Sequence, residues 1–437
     1  MKKRVGVVAD DITGANDIGI MFAKNGYATG VFPFSSADPT DFENLDVVIL
    51  DTDSRFDSAG TAAQKVKAAA LLLKQTGFDC YFKKTCSVFR GNIGAEFDAM
   101  QDILGADCSM VIAGFPKNGR TTREGIHYLN GKPLDQSALV CDPVHPTTEP
   151  ALAKIIGKQS DRVCGLFSCR ELDLPFAEQC RIFNQKKQAC SYLIFDVRNQ
   201  EDLVRISKLV KSESSLCGSS AIGEELPKVW GIPPEDTGLS GQVHPVKDPC
   251  GTLVLAGSLT AQTVVQIEYL QKSGTASREI DTVALFDSGM RDTMLEDRVQ
   301  FAVPLLKSGK TVLLYTENQP EAVAKTKKIG HEKGLTDEEI GRVVSAAVHD
   351  LAVKIQSQTG LKKLVVAGGD TSAAVSSAFS LRKMIILKEI EPGVPTMYGY
   401  GRAGELLLVF KSGSFGSASF LQKAVHCLLA LQKGELE

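Results

Sequence analysis

No stretch of the 437 residues approaches the roughly 18 uninterrupted apolar residues that a membrane-crossing helix needs. The start, MKKRVGVVADD, places basic residues before an apolar run, but Asp10 and Asp11 stop that run after Val5 to Ala9. It therefore predicts a buried first strand rather than a signal peptide. An excess of one charge is missing as well. Lys and Arg (49) nearly balance Asp and Glu (52), leaving a net charge of -3 and no field that would draw the chain to nucleic acid or an acidic membrane. The eleven cysteines, spread from Cys80 to Cys427, lack the two-residue spacing of a zinc knuckle; the closest pairs are Cys80 with Cys86 and Cys164 with Cys169. They read as small buried hydrophobes in a reducing cytoplasm. His145 has no second His or Cys at ligand spacing, so the metal ligands stay unassigned.

What the chain does contain is alternation. Short Val- and Ile-rich runs are followed by segments of helical period along nearly the whole length, the pattern of an α/β protein with mainly parallel sheets flanked by helices. Expected strands in the first half are Val5 to Ala9, Thr29 to Phe34, Val47 to Asp51, Cys80 to Lys83, Met110 to Gly114, Val163 to Phe167 and Tyr192 to Val197. Helices are expected over Thr61 to Gln75, Ala95 to Leu104 and Asp202 to Val210. From Cys217 to Cys250 the periodicity fails amid Gly, Pro and Ser, and the only Trp of the chain lies there. This divides the chain into a domain 1–217, a linker 218–250 and a domain 251–437. The second series has strands Leu253 to Ala256, Val312 to Tyr315, Leu364 to Ala367, Met384 to Leu387 and Leu406 to Lys411. Its helices are expected near Ala261 to Leu270, Glu338 to Gln356 and Ser417 to Leu431. Two such domains create the expectation of a ligand cleft between them.

Three times in the second domain an apolar strand runs into small residues and then a helix: LVLAGSLTAQTV, LVVAGGDTSAAV and LLVFKSGSFGSASF. Each turn can aim backbone N–H groups and a positive helix end at an anion, although tight packing alone also explains any one of them. The candidate nucleotide contacts are Ser258, Gly368, Gly369, Asp370, Thr371, Lys411 and Gly413. Asp370 fits beside phosphates when Mg²⁺ lies between, and equally fits as a helix cap, as does Thr371. Two familiar motifs fail on context. Ser308-Gly309-Lys310-Thr311 has Pro304 where a P-loop needs its first glycine, and a strand follows it. Gly399-Tyr400-Gly401-Arg402-Ala403-Gly404 matches G-x-G-x-x-G but opens no helix, leaving it as a loop over a nucleotide.

In the first domain the pair Asp10-Asp11 ends a strand, where parallel sheets bind ligands, and DITGAND follows. Adjacent carboxylates repel unless a ligand hydroxyl, a cation or helix N–H groups relieve them. Asp11 is the candidate for gripping a substrate hydroxyl and accepting its proton, with helix capping as the plain alternative. Arg55, Lys83, Lys84, Thr85, Cys86 and Arg90 stand at comparable strand ends. Cations among carboxylates and hydroxyls suit a small ligand with a carboxylate and several hydroxyls, and solvated surface charge is the bland reading. The turn Asn118 to Thr122 and the loop Asp142 to Pro146 add polar groups without an assigned role.

These motifs together resemble the four-carbon acid sugar kinase family, whose members phosphorylate threonate, erythronate or related tetronates with ATP. The matches are DDITGANDIG (10–19), Lys83-Lys84 through the RGN ending at Asn92, and GRTT with HYLNGKPL (119–134). They continue with AGSLT (256–260), AGGDTS (367–372), Glu391 to Pro395 and KSGSFG (411–416). The resemblance implies that the first domain binds the sugar acid, through Asp11, Arg55 and Lys83 to Cys86, and the second binds ATP, through Ser258, Gly368 to Thr371 and Gly413. One departure is Cys86-Ser87-Val88-Phe89 where the family commonly reads D-S-T-L, which bears on the exact substrate. The resulting expectation is a cytoplasmic, Mg²⁺- and ATP-dependent kinase acting on a terminal hydroxyl, with Lys411 offsetting charge on the transferred group. A nicotinamide-dependent hydroxy-acid dehydrogenase and a non-catalytic sugar-acid sensor are the rivals. Which tetronate and which stereoisomer is bound, and whether the protein is a homo-oligomer, are not legible in the sequence.

Overall fold

A computed structural model describes residues 2–137, 140, 148–231 and 243–435. The loop Asp142 to Pro146 lies outside the described residues. The chain forms two compact units, Met1–Leu239 and Ser240–Glu437.

In the first unit the strands are β1 (Val5–Ala9), β2 (Thr29–Pro33), β3 (Val47–Asp51), β4 (Cys80–Lys84), β5 (Ser109–Ile112), β6 (Arg120–Arg123), β7 (Ile126–Leu129), β8 (Lys132–Pro133), β9 (Cys164–Phe167), β10 (Tyr192–Phe195) and β11 (Ser215–Gly218). Their order in the main sheet is β2-β3-β1-β4-β11-β5-β10-β9, and every pairing is parallel. β1 is buried along its whole length, as the unbroken run VGVVA requires of a strand covered on both faces. Val5 aligns with Val47 on one side and Cys80 on the other. The chain first winds to the β3 side of β1 and then crosses to the β4 side, so the carboxyl end of β1 is where ligands bind in such sheets. β6, β7 and β8 form a separate antiparallel sheet that sequence periodicity did not reveal, because each strand has only two to four residues and β6 and β8 carry no apolar alternation. β11, SLCG, escaped notice for the same shortness.

The segment 218–250 is not a linker at its start. Ile222–Val229 forms a helix whose Gly223 is packed so closely that a Cβ would lie 3.1 Å from Phe22. Trp230 then stacks on Phe22, with ring centroids 6.5 Å apart. Pro227 and the short length hid this helix from periodicity, but its apolar face belongs to the first unit.

The second unit has β12 (Leu253–Ala256), β13 (Ala276–Ile280), β14 (Val312–Thr316), β15 (Lys363–Ala367), β16 (Lys383–Glu391), β17 (Val394–Gly401) and β18 (Gly404–Lys411). The order is β13-β14-β12-β15-β18-β17-β16, parallel through β18 and antiparallel beyond it. Here too the winding reverses beside β12, between its neighbours β14 and β15. At the amino end of β15, Lys363 and Asp248 form an ion pair of 2.9 Å with both side chains fully buried. Asp248 also accepts from the amides of Cys250 and Lys362, so one carboxylate fixes how the chain enters this unit.

Removing one partner of a buried pair strands the other charge. Asp248→Ala is therefore expected to lower stability by about 3–5 kcal/mol, read as a fall in the urea midpoint at constant slope.

Candidate active site

At the end of β1, Asp10 and Asp11 are both held by one guanidinium. Arg55 donates from Nε and Nη2 to Asp10 (2.8 and 2.9 Å) and from Nη1 and Nη2 to Asp11 (2.7 Å each). Asp11 has extended backbone (φ -152°) and N-caps the helix Ile12–Ala23, accepting from the Gly14 amide at 2.8 Å and the Thr13 hydroxyl at 2.8 Å. The capping and ligand readings of Asp11 thus describe one residue doing two things. Its acceptor positions are all taken, which argues against it as the proton acceptor expected from sequence. Burial would raise the Asp10 carboxyl, but Arg55, then Lys83 and Lys84, bring it down to about 2.

The loop that carries Arg55 is sewn to β1: the Ser54 and Arg55 amides donate to the Asp10 carbonyl at 3.1 and 3.2 Å. The RGN segment cups it from outside. Gly91 has φ +100° and lies so close that a Cβ would stand 2.9 Å from the Arg55 carbonyl oxygen, while Asn92 donates to the Asp57 carbonyl at 2.8 Å.

Lys83 and Lys84 do not converge on one ligand. Successive strand residues face opposite sides of a sheet. Lys83 meets Glu96 on the helix Ile93–Leu104 at 2.8 Å, fully buried, and Ser54 donates to the same Glu96 at 2.6 Å. Lys83 therefore positions the Arg55 loop. Lys84 instead lies 3.6 Å from Asp17 on the helix Ile12–Ala23 and donates to the Thr85 carbonyl at 2.9 Å. A Cβ at Gly14 would stand 3.0 Å from the Lys84 ammonium, so glycine there keeps the ammonium close to the helix start.

Thr85 and Cys86 follow at the end of β4, both buried. Burial would raise the Cys86 thiol, but Arg90 and Arg55 outweigh it and lower it. The β6–β8 sheet braces this stretch. His127 is held between the Thr122 hydroxyl (3.1 Å) and the Ser87 carbonyl (2.9 Å), and burial lowers it to about 4, keeping the ring neutral. Sequence reasoning missed Glu96, Asp17 and Ser220, which donates to Asp17 at 2.7 Å. Asp17 was within reach, since it stands four residues after Thr13 on the same helix face; no comparable signal marks Glu96 or Ser220.

In the second unit all three small-residue turns meet at the carboxyl ends of β12, β15 and β18. A Cβ at Gly257 would lie 2.3 Å from the Thr371 hydroxyl, one at Gly368 would lie 3.2 Å from the Ser258 amide nitrogen, and one at Gly413 would lie 2.4 Å from the Ser258 hydroxyl. Gly368 (φ +129°) is the N-cap of the helix Gly369–Ala378 and supplies no side-chain cap. Asp370 and Thr371 are thus inside the first turn, not capping it, and Asp370 is exposed. Leaving the first-turn amides without a side-chain cap suits an anionic ligand.

Two expectations change here. Lys411 is fully buried, and its ammonium meets the Gln266 side-chain oxygen (2.8 Å), the Thr263 hydroxyl (2.9 Å) and the carbonyls of Gly413 (2.9 Å) and Phe415 (3.3 Å). Burial pushes it down to about 7, while those oxygens favour its charged form. It shapes the third turn from inside rather than offering a cation to a phosphate. Gly399 and Gly401 lie within β17, and Gly404 (φ +77°) opens β18 after a hairpin turn, so the G-x-G-x-x-G stretch is not a loop over a nucleotide. The glycines are there because a Cβ at 399 would meet Leu408 at 2.4 Å and one at 401 the Phe379 carbonyl at 2.4 Å. A dinucleotide enzyme loses its fingerprint with them.

Two family models match the chain. Residues 5–226 match the family model described as the sugar-binding N-terminal domain, and residues 253–421 match the nucleotide-binding C-terminal domain. A Pseudomonas fluorescens Pf-5 protein named 3-oxo-tetronate kinase is 30% identical over 429 residues, covering 96% of each chain. A Brucella melitensis protein of the same name is 28% identical, covering 99% of this chain and 97% of its own. The crystal structure of a Salmonella typhimurium LT2 protein superposes with a TM-score of 0.79 at 25% identity, over 96% of this chain and 98% of that one.

The Asp10 carboxyl lies below its ordinary 3.8, so its pairing stabilises the fold fully above about pH 4 and ceases to do so as pH falls towards about 2. Unfolding free energies from urea titrations at about pH 5 and about pH 2.5 should differ by roughly 2 kcal/mol more in the wild type than in Asp10→Asn. Equal losses in both proteins would remove Asp10 from the acid sensitivity.

Proposed function

Because the chain belongs to the family that joins a sugar-binding N-terminal domain to a nucleotide-binding C-terminal domain, we propose that it transfers the γ-phosphoryl group of ATP to a hydroxyl of a four-carbon sugar acid. The relatives' shared name points to 3-oxo-tetronate as the acceptor, with threonate and erythronate as close alternatives, and the terminal hydroxyl as the reacting group. Kinase chemistry on a sugar acid is the class; the particular tetronate is our reading.

The observation that carries it is the meeting of Gly257-Ser258, Gly368-Thr371 and Gly413 around an N-cap without a side chain. That arrangement favours phosphates, through backbone donors and a helix dipole, over a neutral ligand. In the first unit, Arg55 spends four of its five N–H groups on Asp10 and Asp11, which leaves one on Nη1 for substrate. Lys84, beside Asp17, supplies a second cation on the side of the substrate hydroxyls. Neither the four-fold engaged Asp11 nor the internally paired Lys83 is free to do chemistry, and phosphoryl transfer through a loose transition state asks more for positioning than for a strong base.

Mg²⁺ fits the nucleotide site through Asp370, an exposed carboxylate on the first turn of the helix Gly369–Ala378, where phosphates would otherwise be repelled. When bound it would neutralise charge on the β- and γ-phosphates. No cluster of three metal-ligating side chains exists among the described residues, which suits a cation held largely by the nucleotide itself.

ATP consumption with Mg²⁺ against threonate, erythronate and 3-oxo-tetronate stereoisomers, with mass spectrometry of products, tests the reaction. A phosphorylated acid supports it; ATP binding with silence across the panel would overturn the tetronate assignment. In Gly368→Val the new side chain enters a site where a Cβ alone comes within 2.8 Å of the Thr371 hydroxyl, on a backbone (φ +129°) that valine resists. Calorimetry should show ADP affinity lost by at least about 100-fold with sugar-acid binding retained.

A further inference from the structure

Beneath the Arg55 cluster lies a set of polar groups that the fold does not satisfy. Asp17 is 3% exposed; one carboxylate oxygen takes the Ser220 hydroxyl, and the other has no hydrogen-bond partner. Thr85 is fully buried with its hydroxyl unpartnered, and Asn16, one residue before Asp17, is fully buried with both amide atoms unpartnered. Between Asp17 and Thr85 stands Lys84, which spends one of its three donors on the Thr85 carbonyl at 2.9 Å and faces Asp17 only at 3.6 Å. Buried polar atoms without partners cost stability, on the order of 1–3 kcal/mol each, and are tolerated where a ligand completes them.

Resting on the sugar-acid reading above, we infer that Asp17 and Thr85, on either side of Lys84, form the subsite that reads a non-terminal hydroxyl group of the substrate. An ionised carboxylate accepts and cannot donate, so the open oxygen of Asp17 demands a hydroxyl hydrogen and repels the substrate carboxylate. The same hydroxyl oxygen can accept from Lys84 or Thr85. A site built for a hydroxyl rejects the analogue lacking it more strongly than an apolar pocket rejects an added one. Asp17 and Thr85 are therefore specificity-determining residues, distinct from the Arg55 clamp.

A second signature separates this role from a structural one. Burial raises Asp17 to about 6, against the pull of Lys84, the Ser220 hydroxyl and Arg120 and with a push from Asp11. Hydroxyl preference should then weaken as pH falls through about 6 and Asp17 takes up a proton.

The experiment compares kcat/KM for threonate, erythronate and 3-oxo-tetronate with that for the deoxy acid 3,4-dihydroxybutanoate, in the wild type and in Asp17→Asn, which keeps shape and the Ser220 bond. The wild type should prefer the hydroxylated acid by at least about tenfold, and Asp17→Asn should bring that ratio near unity and abolish its decline below about pH 6, with ADP affinity unchanged. Thr85→Val serves if Asp17→Asn does not fold, and it should likewise reduce the ratio. Wild-type turnover with the ratio unchanged in both Asp17→Asn and Thr85→Val would overturn the subsite and leave the kinase reading standing. No turnover by the wild type with any of these acids would instead overturn the tetronate reading on which the subsite rests.

Discussion

The first unit depends on one guanidinium shared by two consecutive carboxylates. Asp10 and Asp11 leave the end of β1 together, and their mutual repulsion at that depth would be unaffordable without Arg55 bonding to both. The consequences spread outward. Arg55 has to be delivered from β3 by a loop whose Ser54 and Arg55 amides bond back to β1, and Asp53 in that loop takes a left-handed backbone, φ +44°. The RGN segment then closes over the arginine, which only a glycine at 91 permits. Glu96 and Lys83 hold the loop from beneath through Ser54. Asp11, by capping the next helix, fixes the angle at which Gly14 and Asp17 approach Lys84. Backbone strain and buried charge thus concentrate where the parallel sheet reverses its winding, as expected of a site whose surroundings over-determine it.

In the second unit the constraint is steric rather than electrostatic. Gly257, Gly368 and Gly413 bring three backbone turns closer together than side chains would allow. Buried Lys411 ties the third turn to the helix Ala261–Lys272 through Thr263 and Gln266. Gln266 in turn donates to the carbonyls of Phe415, Gly416 and Ser417. A loop that would otherwise carry loose carbonyls is held by two polar side chains, and its amides keep their orientation.

Much of this was legible. The buried strands announced themselves as Val- and Ile-rich runs, and the three turns and the paired aspartates stood out because each interrupts such a run with residues that a strand does not need. The strands that escaped share a physical cause. β13, ASREI, is largely unburied on the sheet's edge and so carries no apolar pattern, and β17 contains glycines demanded by neighbours distant in sequence. The tandem Lys83-Lys84 gave the correct residue type and an incorrect shared role, although strand alternation alone requires that they part. Glu96 could not be found, because its importance comes from a partner chosen by the fold rather than from its own surroundings in sequence.

Counting donors and acceptors separates the residues that build the site from those left open to a ligand. Asp11 has four acceptor positions and four bonds, while Lys411 has three donors facing four oxygens. Both stand where a ligand would be sought, and both are spent on the protein. Arg55 retains one N–H, and Lys84 retains donors that the Thr85 carbonyl does not use. Asp17 and Thr85 retain an oxygen each, in a place where water is excluded and the cost of leaving them unpaired is highest. Within each unit the saturated groups are held in place before a ligand arrives, and in the first unit the unsaturated oxygens of Asp17 and Thr85 are, on the proposed reading, kept for its hydroxyls. Such preorganisation lets binding free energy discriminate between closely related polyhydroxy acids, since little of it goes into ordering the protein.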